Sequence, residues 1–274
     1  MTKFNPNQLP TVGYLCNGRL TLETGVPIST SDQADKVTLY FTPYMGDLIY
    51  IYDGTSWVLH SFTELSLDIS GFTASKPYDI FIYDNAGTLT LEGLVWTNAT
   101  TRATALTTQN GVYVLTDATN KRYLGTIYMD AASKCQDTEN KRYLWNYYNR
   151  KDRKAKKTCG GSGHTYNTAS WRYFNNDAAN SLSFICGLKE DMLSFQVGGR
   201  INPSGGTYGY AGIGIDGTNQ NHDIYGWGYN AGDYGAHAFL NTTFIGFHTI
   251  YNIEYASGAT IYWYTYILLG TFIG

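Results

Sequence analysis

Between Lys36 and Phe62 the chain reads KVTLYFTPYMGDLIYIYDGTSWVLHSF, with apolar and polar side chains alternating at a period of two. Neighbouring side chains on an extended strand point to opposite faces, so the alternation predicts half-buried strands over Val37 to Tyr44, Leu48 to Tyr52 and from Trp57 onward. Asp53-Gly54 between two such runs is a hairpin signal, because glycine takes the positive φ that a tight turn demands. Further strands are predicted at Leu65 to Ile69, Tyr78 to Tyr83, Thr88 to Trp96, Val112 to Leu115 and Tyr123 to Met129, with turns at Asn85-Ala86-Gly87 and Asn110-Gly111. No stretch carries the apolar period of an amphipathic helix.

The pattern resumes beyond Thr158-Cys159-Gly160-Gly161-Ser162-Gly163, with strands predicted at Trp171 to Phe174, Leu182 to Gly187, Met192 to Val197, Tyr208 to Ile215, Ala236 to Leu240, Thr249 to Tyr255 and Ala259 to Leu269. The expected fold class is therefore all-β, with two antiparallel β domains of which the C-terminal one is a jelly-roll-like β-sandwich. The expected organisation is an N-terminal arm over residues 1–35, a first β domain over 36–149, a basic and glycine-rich linker over 150–163, and the sandwich over 164–274. Asn120-Lys121-Arg122-Tyr123-Leu124 recurs as Asn140-Lys141-Arg142-Tyr143-Leu144. Two copies are too few for a solenoid; they predict nearby edges of one sheet with the basic side chains outside.

Charge is unevenly spread. The chain carries a net −3, and Arg150 to Lys157 holds six cations and one carboxylate, so that segment's +5 leaves −8 for everything else. A nucleic-acid surface spreads its cations over a face, and here the rest of the chain would repel phosphate; nucleic acid is not an expected partner, and the run reads as a solvated connector. The last apolar run, Ile261 to Gly274, is too short and too polar to insert in a membrane and reads as a closing strand. Cys16, Cys135, Cys159 and Cys186 form no CxxC pair, so free buried thiols are expected. The N-terminus has no signal-peptide pattern.

A search for reaction chemistry returns little. Gly212-Ile213-Gly214-Ile215-Asp216-Gly217 spells GxGxxG, but a dinucleotide motif must open a helix, and Thr218-Asn219-Gln220-Asn221-His222-Asp223 does not propagate one. Asp216, Asn219, Asn221 and Asp223 gather oxygen donors as a calcium loop does, without EF-hand spacing; a polar turn capping its own backbone is the plainer reading. Glu190 and Asp191 as strand neighbours would face opposite ways, unlike the paired carboxylates of a glycosidase. His60, His164, His222, His237 and His248 lack ligand spacing. The expectation is no enzyme and no cofactor.

One cluster stands out. Tyr208, Tyr210, Tyr225, Trp227, Tyr229 and Tyr234 lie among glycine and asparagine, read here as loops, and such rings beside amides stack on sugar faces or make wet protein contacts. Covering the ends of a sandwich or filling a subunit interface is the competing reading. With 25 Tyr and only 15% charged residues, extensive inter-subunit burial is also expected.

Several segments resemble accessory structural proteins of tailed bacteriophages. In the first half these are Gly18-Arg19-Leu20-Thr21-Leu22, Leu39-Tyr40-Phe41-Thr42-Pro43-Tyr44, Tyr52-Asp53-Gly54-Thr55-Ser56-Trp57, Lys76-Pro77-Tyr78-Asp79-Ile80-Phe81, Thr101-Arg102-Ala103-Thr104-Ala105-Leu106, and Lys141 to Arg150. In the second they are Cys186 to Asp191, Gly212 to Asp216, and Asn252-Ile253-Glu254-Tyr255. The resemblance implies a non-enzymatic virion protein assembled in the host cytoplasm, a homotrimer with other tail or capsid proteins as partners. It implies a tail-fibre or receptor-binding component whose C-terminal domain projects towards host-surface polysaccharide, or alternatively a capsid decoration or head-fibre protein that stabilises the lattice.

Overall fold

The computed structural model describes residues 14–160, 163–204, 206–221, 224–225, 227–229 and 234–274, and between 224 and 229 the backbone alone. Its regular structure is almost entirely strand, in several antiparallel sheets.

In the first half, Leu48–Tyr52 and Trp57–Ser61 form the hairpin expected around Asp53-Gly54, in register from Leu48 opposite Ser61 to Tyr52 opposite Trp57. Asp53 closes it by accepting from the amides of Thr55 and Ser56, each at 2.7 Å. Gly18–Thr21, Thr38–Pro43 and Leu65–Asp68 make a three-stranded sheet. A six-stranded sheet is centred on Lys76–Asn85 and Ala118–Met129, and Leu144–Asn146 also pairs with the latter. Leu20, Phe41, Ile49, Ile80, Tyr123 and Ile127 from these sheets share one core.

The second half is a sandwich of eight principal strands: β1 (Asp152–Cys159), β2 (Ser181–Cys186), β3 (Met192–Pro203), β4 (Tyr208–Ile215), β5 (Trp227–Tyr229), β6 (Tyr234–Thr243), β7 (Gly246–Ala256) and β8 (Ile261–Ile273). One sheet runs β1-β8-β3-β6 and the other β2-β7-β4-β5. Strand one pairs with eight, two with seven, three with six and four with five, as when a long antiparallel ribbon is rolled on itself. That order is a jelly roll. Alternate side chains of both sheets, among them Phe184, Phe195, Val197, Ile213, Trp263 and Leu268, fill the space between them.

The expected linker is corrected. Asp152–Cys159 is β1, paired with β8 along its whole length from Asp152 opposite Ile273 to Cys159 opposite Tyr266. Ala155 and Cys159 point into the core while Lys154 and Lys156 point out, so the basic run is the polar face of an alternating strand. It is an edge strand, where lysines discourage pairing with foreign sheets. The sandwich therefore begins at Asp152, ahead of residue 164.

The boundary of the arm and the seam change with it. Gly18–Thr21 and Gln33–Lys36 are strands within the expected arm; residues 1–13 lie outside the described residues. Lys141–Arg142, Cys135–Thr138 and Gln33–Lys36 add in that order to the edge of β2, where Lys141 and Arg142 pair in parallel with Ser183 and Phe184. One sheet thus crosses from the first half into the jelly roll. Nor are the basic residues of the repeat all outside. Arg122 is fully buried and donates to the carbonyls of Tyr50 at 2.7 Å and Leu15 at 3.0 Å, with its guanidinium over the Tyr148 ring. Arg19, also buried, donates to the carbonyls of Pro27, Asn149 and Gly274; burial and the nearby Arg153 charge push its pKa down to about 10.

Candidate functional site: an aromatic cleft on the jelly roll

A cleft of about 300 Å³ opens on the outer surface of the β2-β7-β4-β5 sheet, lined by Trp171, Tyr210, Gln220, Tyr255 and Ser257. Strand alternation supplies its floor. On β4, Ala211 and Ile213 are core residues, so Tyr210, Gly212 and Gly214 face outward. On β7, Ile250 and Ala256 are core residues, so Tyr255 faces outward too. Tyr210 and Tyr255 stand opposite each other in register, with ring centroids 5.6 Å apart and an edge-on geometry. Tyr208 stacks on Tyr210 at 6.2 Å, and its amide donates to Ser257 Oγ at 2.7 Å.

The GxGxxG text finds its physical meaning here. A Cβ at Gly212 would lie 2.6 Å from Trp171 Cζ3, and one at Gly214 would strike the Gly217 carbonyl. The two glycines bare the sheet, so that an indole rests on one position and the returning turn on the next. That return brings Gln220 to the cleft through a bridge with Gly214 and a bond from the Asn221 amide to the Ile213 carbonyl at 2.8 Å.

Trp171 arrives from the two-residue strand Arg172–Tyr173, which pairs antiparallel beside β7 with Arg172 opposite Glu254. Its ring lies 5.4 Å from Tyr255 at a tilt of 46°. Behind the cleft Glu254 is fully buried, accepting from Arg172 Nε at 2.7 Å and the Asn175 amide at 3.2 Å and pairing with His164 Nε2 at 2.6 Å. The guanidinium of Arg172 also sits 3.8 Å from the centre of the Tyr166 ring. Glu254 points away from Tyr255, as strand neighbours must, and its two oxygens are engaged in the core. Among the described residues the lining carries no carboxylate, ammonium or guanidinium. Such a surface can stack on apolar faces and exchange hydrogen bonds with neutral hydroxyls.

The sequence-predicted aromatic residues lie on strands, Tyr208 and Tyr210 where the strand over Tyr208 to Ile215 is predicted and the other four as a correction to the loop reading. Tyr208 and Tyr210 are on β4, and the backbones of Tyr229 and Trp227 pair opposite them on β5. Tyr225 pairs with Ala238 and Tyr234 with Ile201 in the other sheet, so these two belong to the far side of the sandwich. The side chains of Tyr225, Trp227 and Tyr229 lie outside the described residues. Trp171, Tyr255, Gln220 and Ser257 were not predicted. Only the outward parity of Tyr255, in the text Asn252-Ile253-Glu254-Tyr255, could have pointed to one of them.

Two of the four donors proposed for calcium, Asp216 and Asn221, are turned to the fold. Asp216 pairs with His248 Nδ1 at 2.7 Å and accepts from the Thr249 amide at 2.8 Å; burial raises its pKa, but these bonds outweigh it and hold the carboxyl below its ordinary value. Asn221 Oδ1 accepts from the Ile215 amide at 3.1 Å, Asn219 is exposed, and Asp223 lies outside the described residues. Among the described residues no three His, Cys, Asp or Glu side chains converge as a metal site would require. Glu190 and Asp191 sit in the turn before β3 instead of on a strand, and both reach Arg150.

No protein-family model matches the chain, and no curated protein matches it. Among solved structures it shows a slight likeness to the insecticidal crystal protein Cry7Ca1 of Bacillus thuringiensis, at 9% identity and a TM-score of 0.20, covering 92% of this chain and 50% of that one. The chain spans about half the length of that protein, and a likeness so slight carries no argument about fold or function.

Proposed function

We propose that the protein is a non-enzymatic structural component of a bacteriophage virion, a tail-fibre or receptor-binding module whose jelly roll presents the Trp171, Tyr210 and Tyr255 cleft to host-surface glycan. The observation that carries the binding half of this reading is the cleft itself: among the described residues it has three aromatic rings with an amide and a hydroxyl and no charged group in the lining, with a buried Glu254 anchor behind it. Aromatic rings give saccharide C–H faces a platform at small entropic cost, while Gln220 and Ser257 offer both donors and acceptors to hydroxyls. The virion half rests on the sequence resemblance. Immunogold labelling of intact particles tests it: gold at the tail tip supports the adhesin, gold over the capsid shifts the protein to decoration or head fibre, and unlabelled particles overturn the virion assignment.

A further inference from the structure

The aromatic cleft is one part of a longer line of rings. On the outer face of the sheet, β4 and β7 stand in register with Tyr210 opposite Tyr255, Gly212 opposite Ile253 and Gly214 opposite Tyr251. Tyr208 begins the line, one step beyond Tyr210 on the same face. Tyr210 and Tyr255 make the second row, and Trp171 lies over Gly212 in the third. Tyr251 stands in the fourth, turned outward because Ile250 and Asn252 on either side of it are fully buried. Every row thus presents a ring that is at least partly exposed.

The fourth row is built like the third. Arg172 turns inward to Glu254, so Trp171 and Tyr173 on either side of it both point outward. Trp171 lies beside Tyr255 with centroids 5.4 Å apart, and Tyr173 beside Tyr251 with centroids 4.7 Å apart at a tilt of 44°. One buried ion pair therefore sets two ring pairs. Neither Tyr173 nor Tyr251 belongs to the core between the sheets. The turn that lies over Gly214 borders this row on the β4 side. Beyond Tyr251 the fold closes the line: the Thr249 amide donates to Asp216, whose carboxylate is already paired with His248, and Phe247 is covered by Tyr128.

We propose that Tyr173 and Tyr251 form a second platform of the saccharide site, and that the site takes an internal stretch of an extended, neutral oligosaccharide chain. This rests on the saccharide reading of the cleft and adds the form of saccharide it suits. Two residues along a strand advance about 6.7 Å, so the three steps from Tyr208 to Tyr251 cover about 20 Å. A site for one terminal sugar gathers its rings around a single concave position. Rings repeated at strand spacing along a line meet successive sugars instead. Each ring offers its face to one unit with only two side-chain torsions to fix, so contacts accumulate with chain length at small entropic cost.

Calorimetric titration of the full chain tests this with neutral gluco-, manno-, galacto- and rhamno-oligosaccharides, each as a disaccharide and as a hexasaccharide. The hexasaccharide that binds is expected to do so on the order of tenfold more tightly than its disaccharide. Tyr251→Ala and Tyr173→Ala, each with an unchanged far-ultraviolet spectrum, should lose that gain with length, whereas Tyr251→Phe, which keeps the ring, should retain it. Equal affinity for the two lengths, or a gain that survives in both folded alanine variants, overturns the inference and leaves the cleft a saccharide site. Binding of no oligosaccharide at either length overturns the reading of the cleft itself, and the second platform with it.

Discussion

Asp137 and Arg153 meet across the join between the two halves of the molecule, Oδ2 to Nη2 at 2.7 Å, and the other Asp137 oxygen holds Arg142 at 2.9 Å. The carboxylate is almost fully buried, so it is held by two guanidinium groups in place of water. Arg142 also donates to the Lys154 carbonyl, and the Lys156 amide donates to Glu139, which stitches the edge of β1 to the hairpin before it.

Removing Asp137 should therefore loosen both halves together. Asp137→Ala leaves two arginines without their acceptor, and a loss of about 3 kcal/mol is expected for breaking a buried pair. Urea unfolding should show one shared transition in the wild type, moved to lower denaturant in the variant. Two separate wild-type transitions would mean that the crossing sheet does not couple the halves.

Glu64 predicts how the protein responds to acid. Burial pushes its carboxyl up, but Thr24 Oγ1, Thr42 Oγ1 and the Gly25 amide all donate to it, and the net shift is below its ordinary 4.5. A carboxyl depressed by folding contributes stability above its unfolded pKa, and that contribution is lost as pH falls through the lower folded value. The urea midpoint should hold from pH 7 to 5 and decline below about pH 4.5. Glu64→Gln should be less stable at pH 7 and show a shallower acid decline; an unchanged slope would exclude Glu64 as a contributor.

The four cysteines are buried, and desolvation raises each thiol, Cys16 and Cys159 to about 11 and Cys186 to about 12. The thiolate is the nucleophile, so native protein at pH 8 should be inert to a disulfide reagent such as Ellman's, with all four groups reacting in guanidinium. Rapid reaction of a native thiol would place that cysteine at a surface.

Gly212 should matter to the cleft more than to the sheet. In Gly212→Ala the new methyl meets Trp171 Cζ3 at 2.6 Å, and an overpacking cost of about 1 to 3 kcal/mol is expected. The indole must lift, so glycan binding should fall while circular dichroism stays that of the wild type. Binding that survives intact would show that the indole does not need its seat.

Much of this architecture was legible from period-two patterning. The hairpin at Asp53-Gly54 and the strands Leu48–Tyr52 and Val112–Leu115 fall where alternation and turn chemistry place them. Arg150 to Lys157 was misread because consecutive cations mask the alternation that Ala155 and Cys159 carry beneath them. Arg122 was unreadable for another reason: sequence displays its charge but not the Tyr50 and Leu15 carbonyls that receive it. The cleft was half legible. Tyr208 and Tyr210 could be found by composition, whereas Trp171 reaches them only through the pairing of Arg172 with Glu254, some eighty residues away in the chain.

The central claim is that the Trp171, Tyr210 and Tyr255 cleft is a saccharide site, and glycan-array binding of the wild type beside Trp171→Ala and Tyr255→Ala tests it most directly. The account predicts that neutral glycans bind the wild type and that each substitution weakens binding on the order of tenfold or more, with each variant still folded. Absence of glycan binding by the wild type, or binding undiminished in both folded variants, would contradict it.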